Sequence, residues 1–158
     1  KEMETNYLLP NKYKKLGWIL FILGILGGVF IYVIGFDPTE YLKMNVLSFY
    51  HDPYIGEPTF FKIIENGVLD ELISIFIILG GLLVGFTKEK IEDEFIYKLR
   101  KDSLVWALIV NYSILMITIL FVFDLAFFHV LMFNMFTPLL FFVIRFTTLK
   151  SKYLRNEE

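Results

Sequence analysis

Apolar residues in this sequence are gathered into four long runs that polar segments separate. The runs cover residues 16–36, 67–86, 104–123 and 126–146. A helix of about 20 residues is long enough to cross the hydrocarbon core of a bilayer, which is roughly 30 Å thick. The pattern therefore predicts four transmembrane helices. The second is the weakest of them, because only residues 72–86 of that run are free of charge.

The first run follows several lysines, an arrangement that secretory signals share. It is too long for the apolar core of a signal, and it lacks a cleavage site with small residues around one variable position. We therefore interpret residues 16–36 as a retained span.

Lysine and arginine are distributed unevenly among the segments that join these runs. The N-terminal segment has four, connector 37–66 has two, connector 87–103 has five, the turn after residue 123 has none, and the end from Arg145 onward has four. Cytoplasmic loops of membrane proteins carry the excess of basic residues. The pattern predicts that both termini and connector 87–103 are cytoplasmic and that residues 37–66 form an outer loop.

The turn between the third and fourth runs is too short for anything except an antiparallel pair of helices. We therefore predict an all-α fold: a polytopic membrane protein with four transmembrane helices in an up-down antiparallel bundle. Residues 1–158 form one domain in this prediction. For the outer loop two interpretations remain open, a loop that covers the bundle and a short interfacial helix that carries Tyr41, Val46 and Phe49 on one face.

The connector between the second and third runs has the pattern of an amphipathic helix over residues 88–103. Thr87 is a suitable cap, and Ile91, Phe95 and Leu99 recur at helical spacing. One interpretation is a solvated helix that lies on the lipid headgroups. The other is a docking face for a protein partner, formed by Ile91, Glu92, Asp93, Glu94 and Phe95, since an acidic tip suits a protein better than anionic lipid.

Small and polar residues inside the spans point to helix packing. Both G-x-x-x-G pairs permit close approach of helix backbones, within the chain or between copies; they are Gly24 with Gly28, and Gly81 with Gly85. Asn111 and Asn134 lie at similar predicted depths, so a hydrogen bond between them is expected, although a polar pathway lining is the alternative. Thr137 and Pro138 predict a kink in the fourth span.

Histidine and acidic side chains of the outer side are candidates for a metal or proton site. Their spacing matches no metal motif, and ordinary surface acids are the competing interpretation. The candidate residues are His51, Asp52, Asp70, Glu71 and His129.

Composition narrows the functional classes. The chain is 56% hydrophobic, and its net charge of −2 gives no reason to expect a nucleic-acid partner. It has no cysteine, which excludes disulfides and thiol catalysis. No cofactor motif is present, so no cofactor is predicted.

Two segments resemble small four-span proteins of low-GC bacterial genomes, an uncharacterised group with no assigned activity. They are TKEKIEDEFIYKLRKDSLVWALIVNY and MFNMFTPLLFFVIRF, both in the second half of the chain. The resemblance implies a location in the bacterial inner membrane and nothing about activity.

Three functions are compatible with these patterns. The first is a non-enzymatic membrane subunit of accessory, regulatory or immunity type that acts through a protein partner. Besides the lipid bilayer, either such a partner or further copies of the chain are the expected associates. The second is an oligomeric channel or small-solute transporter, which the absence of ionisable residues deep in the spans disfavours. The third is a membrane enzyme or a metal or proton site that uses the outer histidines and acids.

Overall fold

Helices and one β-hairpin make up the part of the chain that the computed structural model describes, which is residues 7–35, 37, 40–52 and 56–156. A 3₁₀ turn at Asn11–Tyr13 precedes the first helix. The elements that follow are α1 (Lys14–Ile34), β1 (Lys43–His51), β2 (Thr59–Gly67), α2 (Leu69–Phe86), α3 (Glu94–Phe121), α4 (Asp124–Asn134) and α5 (Thr137–Asn156).

Helices α1 and α2 pack against each other as an antiparallel pair with glycines at their contact. Gly17 lies against Leu83, and a Cβ atom at Gly24 would come within 2.8 Å of the Ile77 nitrogen. Gly80 lies in turn against the backbone of Phe21. The absence of side chains at these positions lets the two backbones approach closely, which increases their van der Waals contact.

Residues 43–67 form an antiparallel hairpin, so neither the loop nor the short interfacial helix predicted for the outer connector is correct for this stretch. The register pairs Val46 with Ile64 and Leu47 with Ile63. The strands are rich in β-branched and aromatic residues, which favour extended backbone. Residues 53–55, in the connection between the strands, lie outside the described residues, as do residues 36 and 38–39 of the predicted connector.

The helix predicted over residues 88–103 begins later than expected. Helix α3 starts at Glu94 and continues without interruption to Phe121, while residues 88–93 are not helical. Asp93 caps it, because its carboxylate accepts a hydrogen bond of 2.7 Å from the Ile96 nitrogen. Thr87 does not cap this helix but forms a parallel β-bridge with Leu9.

The predicted fourth span is a bent pair of helices rather than one straight helix. Helices α4 and α5 meet at an angle of 46°, next to Thr137 and Pro138, where the sequence predicts a kink. Proline has no amide hydrogen to donate to the carbonyl one turn earlier. The Thr137 hydroxyl donates to the Phe133 carbonyl at 2.9 Å, which satisfies a neighbouring acceptor at the break.

Helix α5 connects the two halves of the molecule, because it contacts both α2 and α3. Its buried side chains Phe142, Val143 and Phe146 share a core with Phe21, Ile77, Val84, Ile96 and Ala107. Most other apolar side chains of the helices are exposed. On α3, for example, Ile109 and Met116 are 61% and 62% exposed.

Three helices are long and apolar enough to cross a membrane, and the bent pair α4–α5 provides a fourth crossing if it is one span. The exposed apolar faces are compatible with a membrane protein, since hydrocarbon is their preferred environment. The predicted helical class is confirmed in its main part. The hairpin corrects the all-α prediction, because two strands accompany the helices.

Candidate functional site

The most organised polar region of the molecule lies where α1 begins, α2 ends and α3 begins. Residues 87–89 run beside the segment that precedes α1. The Leu9 nitrogen donates to the Phe86 carbonyl at 3.0 Å, and the Lys88 nitrogen donates to the Leu9 carbonyl at 2.8 Å. The Asn11 amide nitrogen donates to the Lys88 carbonyl at 2.7 Å. The non-helical segment 88–93 is thereby held in a defined position.

Arg100 and Glu92 form the central ion pair of this region. The two terminal guanidinium nitrogens of Arg100 each donate to the Glu92 carboxylate, one of them at 3.0 Å. The side chains are 6% and 14% exposed, so little water competes for the pair. Glu92 also accepts a hydrogen bond of 2.8 Å from the Glu89 nitrogen. This bond closes residues 89–92 into a tight loop and explains why α3 does not begin at Lys88.

Burial raises the pKa of Glu92, but the hydrogen bonds from Arg100 and from the Glu89 nitrogen outweigh it, and the pKa lies below the ordinary carboxyl value. The carboxylate therefore carries its charge throughout the neutral range.

Glu89 is shared by two lysines from different helices. Lys14 at the start of α1 pairs with it, and Lys150 near the end of α5 donates to it at 3.0 Å. The ring of Phe146 lies close to three cations, the ammonium groups of Lys14 and Lys150 and the guanidinium of Arg100. The guanidinium is 5.0 Å from the centroid of the ring. We call Lys14, Glu89, Glu92, Arg100 and Lys150 the charged cluster. It joins α1, α3 and α5 through segment 88–93.

The five residues of the predicted docking face have different surroundings. Glu92 and Asp93 are used inside the protein, one in the ion pair and the other in the helix cap. Ile91 is 68% exposed, and Glu94 is also exposed. Phe95 is 46% exposed and stacks on Tyr153 of α5, with ring centroids 4.2 Å apart. Ile91, Glu94 and Phe95 therefore remain as accessible surface.

The two asparagines of the predicted spans meet beside the second half of α3. The Asn134 amide nitrogen donates to the Asn111 side-chain oxygen at 3.1 Å. Asn111 is 1% exposed, which makes it the most buried amide of the α3–α4 contact. The pair lies one turn before Thr137 and Pro138, so the hydrogen bond connects the break in the helix to α3.

The predicted packing glycines face two different helices. Gly24 lies against Ile77 of α2, whereas Gly28 is in only ordinary contact, 3.8 Å from Ile73. Gly81 and Gly85 of α2 face Leu139 and Phe142 of α5. The two glycine pairs thus lie at different helix contacts.

The outer histidines and acids do not assemble into a metal site. No three histidine or carboxylate side chains within the described ranges are close enough to hold one metal ion. His51 pairs with Thr59 across the hairpin, Glu71 accepts a hydrogen bond from Asn66, Asp70 lines a cavity, and Asp52 and His129 are exposed.

Sequence reasoning missed most of the charged cluster. Arg100 is the residue that could have indicated the cluster from the sequence. It lies on the same helix face as Ile96, Ser103 and Ala107, all of which are buried. A charged residue on a face of small and apolar residues indicates a buried partner. The partners themselves come from segments far apart in the chain and have no sequence signature.

Two cavities accompany these sites. The first, of about 570 Å³, lies between α1, α2 and the break in α4–α5, and its walls are apolar apart from a few groups that include Asp70, Ser74 and Thr137. The second, of about 420 Å³, opens beside the charged cluster between the start of α1, segment 88–93 and the end of α5.

Comparison of the chain with protein-family models, with curated proteins and with solved structures finds no match. The resemblance to small four-span bacterial proteins therefore stays a prediction.

Proposed function

We propose that this protein is a non-enzymatic membrane subunit that acts through a protein partner bound on its cytoplasmic side. In this proposal the chain crosses a bacterial cytoplasmic membrane four times as an up-down antiparallel bundle, with α4 and α5 as one bent span and both termini inside. The distribution of lysine and arginine among the connectors supports the orientation.

The observation that carries the proposal is the exposure of Ile91 on a rigid segment. Its neighbours Glu89 and Glu92 are held by ion pairs, so the loop is ordered although its apolar tip is 68% exposed. Because the loop is already ordered, less conformational entropy is lost when a partner binds. An apolar side chain presented in this way is typical of an interaction anchor.

The chemistry of the surface indicates the kind of partner. Ile91 and Phe95 require an apolar pocket, and the exposed carboxylate of Glu94 requires a basic group beside it. A partner with both features would dock at the start of α3, next to the membrane surface. Glu92 and Asp93 contribute indirectly in this proposal, because they shape the loop rather than contact the partner.

The test is purification of the full-length protein from its native membrane in mild detergent, with intact-mass analysis of what accompanies it. We expect a second polypeptide at a fixed ratio. The double substitution Ile91→Asp with Glu94→Lys should reduce its recovery at least about tenfold, since loss of an anchor residue costs more than ~1.4 kcal/mol.

Asp102→Lys is the matched control, because Asp102 is an exposed acid farther along the same helix. It makes the same change of charge as Glu94→Lys alone and should leave recovery unchanged. Equal recovery with both variants, or purification as a homo-oligomer or bare monomer, would contradict the proposal.

A transport function is the second candidate, and the larger cavity favours it. The cavity lies beside the break between α4 and α5 and has Asp70, Ser74 and Thr137 in its walls. Broken membrane helices that line a cavity are typical of solute sites in transporters. Ion and solute flux into liposomes containing the purified protein tests this function. Asp70→Asn should abolish such flux, whereas Glu57→Gln, at an exposed carboxylate that does not line the cavity, should preserve it.

A further inference from the structure

The smaller cavity differs from the rest of the molecular surface in its chemistry. Within the described ranges, four lysines and one acidic side chain line it, together with an apolar wall that includes Trp18, Ile96 and Leu154. The lysines are Lys14, Lys15, Lys90 and Lys150. A recess with cationic groups on one side and apolar groups on the other matches a ligand that is itself amphipathic.

The single acid does not neutralise the recess. Glu89 is already shared by Lys14 and Lys150, whose side chains are 13% and 19% exposed. Lys15 and Lys90 are exposed at the same opening. The described side chains of the recess therefore carry an excess of positive charge, which would attract an anion.

The position of the recess along α1 indicates where that anion comes from. Lys14 and Lys15 directly precede the apolar run that begins at Leu16. Trp18 lies four residues after Lys14, about 6 Å farther along the helix axis. In a membrane-crossing helix this places the lysines at the depth of the lipid phosphates and the tryptophan at the boundary with the acyl chains.

We propose that this recess binds an anionic glycerophospholipid from the cytoplasmic leaflet. The lysines Lys15 and Lys90 contact the phosphate diester, and the wall around Trp18 and Leu154 receives the start of an acyl chain. Basic recesses between helices at this side of a membrane are suited to anionic headgroups. This inference rests on the orientation given in the proposed function, with the start of α1 at the cytoplasmic side, but it does not depend on a protein partner.

Bound lipid would also stabilise the charged cluster. The phosphate would screen the repulsion among Lys14, Lys150 and Arg100, which crowd around the ring of Phe146. The lipid would therefore reinforce the bridge that Glu89 makes between Lys14 of α1 and Lys150 of α5.

Fluorescence of Trp18 provides a direct test. The chain has two tryptophans, and Trp106→Phe leaves Trp18 as the only one while keeping an aromatic ring against Arg145. The full-length variant is placed in phosphatidylcholine vesicles that contain a small fraction of brominated phosphatidylglycerol or, in parallel, brominated phosphatidylcholine. Bromine on the acyl chains quenches tryptophan on contact. We expect markedly stronger quenching by the phosphatidylglycerol, and a decrease of that preference with added salt.

Lys15→Gln with Lys90→Gln should reduce the preference about tenfold or more, because each lysine near an anionic surface contributes roughly a fivefold change in affinity. Lys98→Gln with Lys101→Gln is the matched control, since both lysines are exposed on α3 away from the recess. The control should keep the preference. Thermal unfolding of each variant confirms that the fold is intact.

Three outcomes would overturn the proposal. Equal quenching by the two brominated lipids would show that the recess has no preference for anionic lipid. An equal effect of the control pair would show that general surface charge is responsible. Stabilisation of the lipid-free protein in detergent by inorganic phosphate, with no further rise of the unfolding midpoint when phosphatidylglycerol is added, would identify a free phosphate, not a lipid, as the ligand.

Discussion

Arg100 illustrates how one buried charge organises its surroundings. It is 5% exposed, donates to Glu92 and lies over the ring of Phe146. Removal of one partner from a buried ion pair is costly, because the other charge remains without compensation. The pair therefore holds segment 88–93 against the helices even where its net contribution to stability is small.

Substitution of Arg100 tests this role. Breaking a buried ion pair costs roughly 3–5 kcal/mol. We expect Arg100→Gln to lower the free energy of unfolding by an amount near the lower end of that range, because Glu92 keeps some access to water. Thermal unfolding in mild detergent, followed by circular dichroism, measures the change. Lys101→Gln on the exposed neighbour should have almost no effect. Comparable losses from both substitutions would contradict a special role for Arg100.

The pH dependence of stability tests the same pair from the carboxylate side. The pKa of Glu92 is lowered in the folded protein, so its ionised form stabilises the fold. This contribution is present above the ordinary carboxyl pKa of 4.5 and is lost as the pH falls through the lower folded pKa. Glu92→Gln should be less stable than the original chain near pH 7, and the difference should narrow in acid. A constant difference across the acid range would be the contrary result.

At the scale of elements, the contact between α1 and α2 depends on the absence of side chains at a few glycines. At Gly80 an added Cβ atom would meet the backbone of Phe21, which cannot move aside as a flexible side chain can. At Gly28 the nearest atoms would lie 3.8 and 3.9 Å away, which is an ordinary van der Waals distance. The two positions differ although both are glycines in apolar helices.

Alanine at these two positions is therefore expected to have opposite consequences. Gly80→Ala should separate α1 from α2 and lower stability by about 1–3 kcal/mol, the usual cost of overpacking. Gly28→Ala should be neutral or slightly stabilising, because alanine favours helix over glycine. Midpoints of thermal unfolding in the same detergent compare them. Tolerance of Gly80→Ala would indicate that the contact is looser than described.

The hairpin shows why element type was harder to predict than element position. Its strands carry apolar residues that satisfy a helical and an alternating period about equally over such short stretches. The pairing of Val46 with Ile64 is a long-range choice that local pattern does not contain. The kink near Pro138 was predictable, in contrast, because it follows from the chemistry of a single residue.

At the scale of the whole molecule, the proposed threading through a membrane is open to a direct test. The chain has no cysteine, so single cysteines can be introduced one at a time. Lys98→Cys and Ser151→Cys should be protected from a membrane-impermeant maleimide in intact cells, whereas Glu57→Cys and Leu125→Cys should react. All four side chains are exposed. Labelling of Lys98→Cys from outside, with Glu57→Cys protected, would show that the orientation is opposite to the proposed one.

The amino-acid sequence by itself determined where the long apolar helices lie and where the basic connectors fall. Hydrophobicity and charge are properties of individual residues, so their sums over a segment can be read without knowledge of the fold. The tertiary structure alone decided that Glu89 bridges Lys14 and Lys150, that Glu92 pairs with Arg100, and that residues 43–67 form a hairpin. These contacts join distant segments, and the partner of a buried charge or of a strand is selected only when packing brings the segments together.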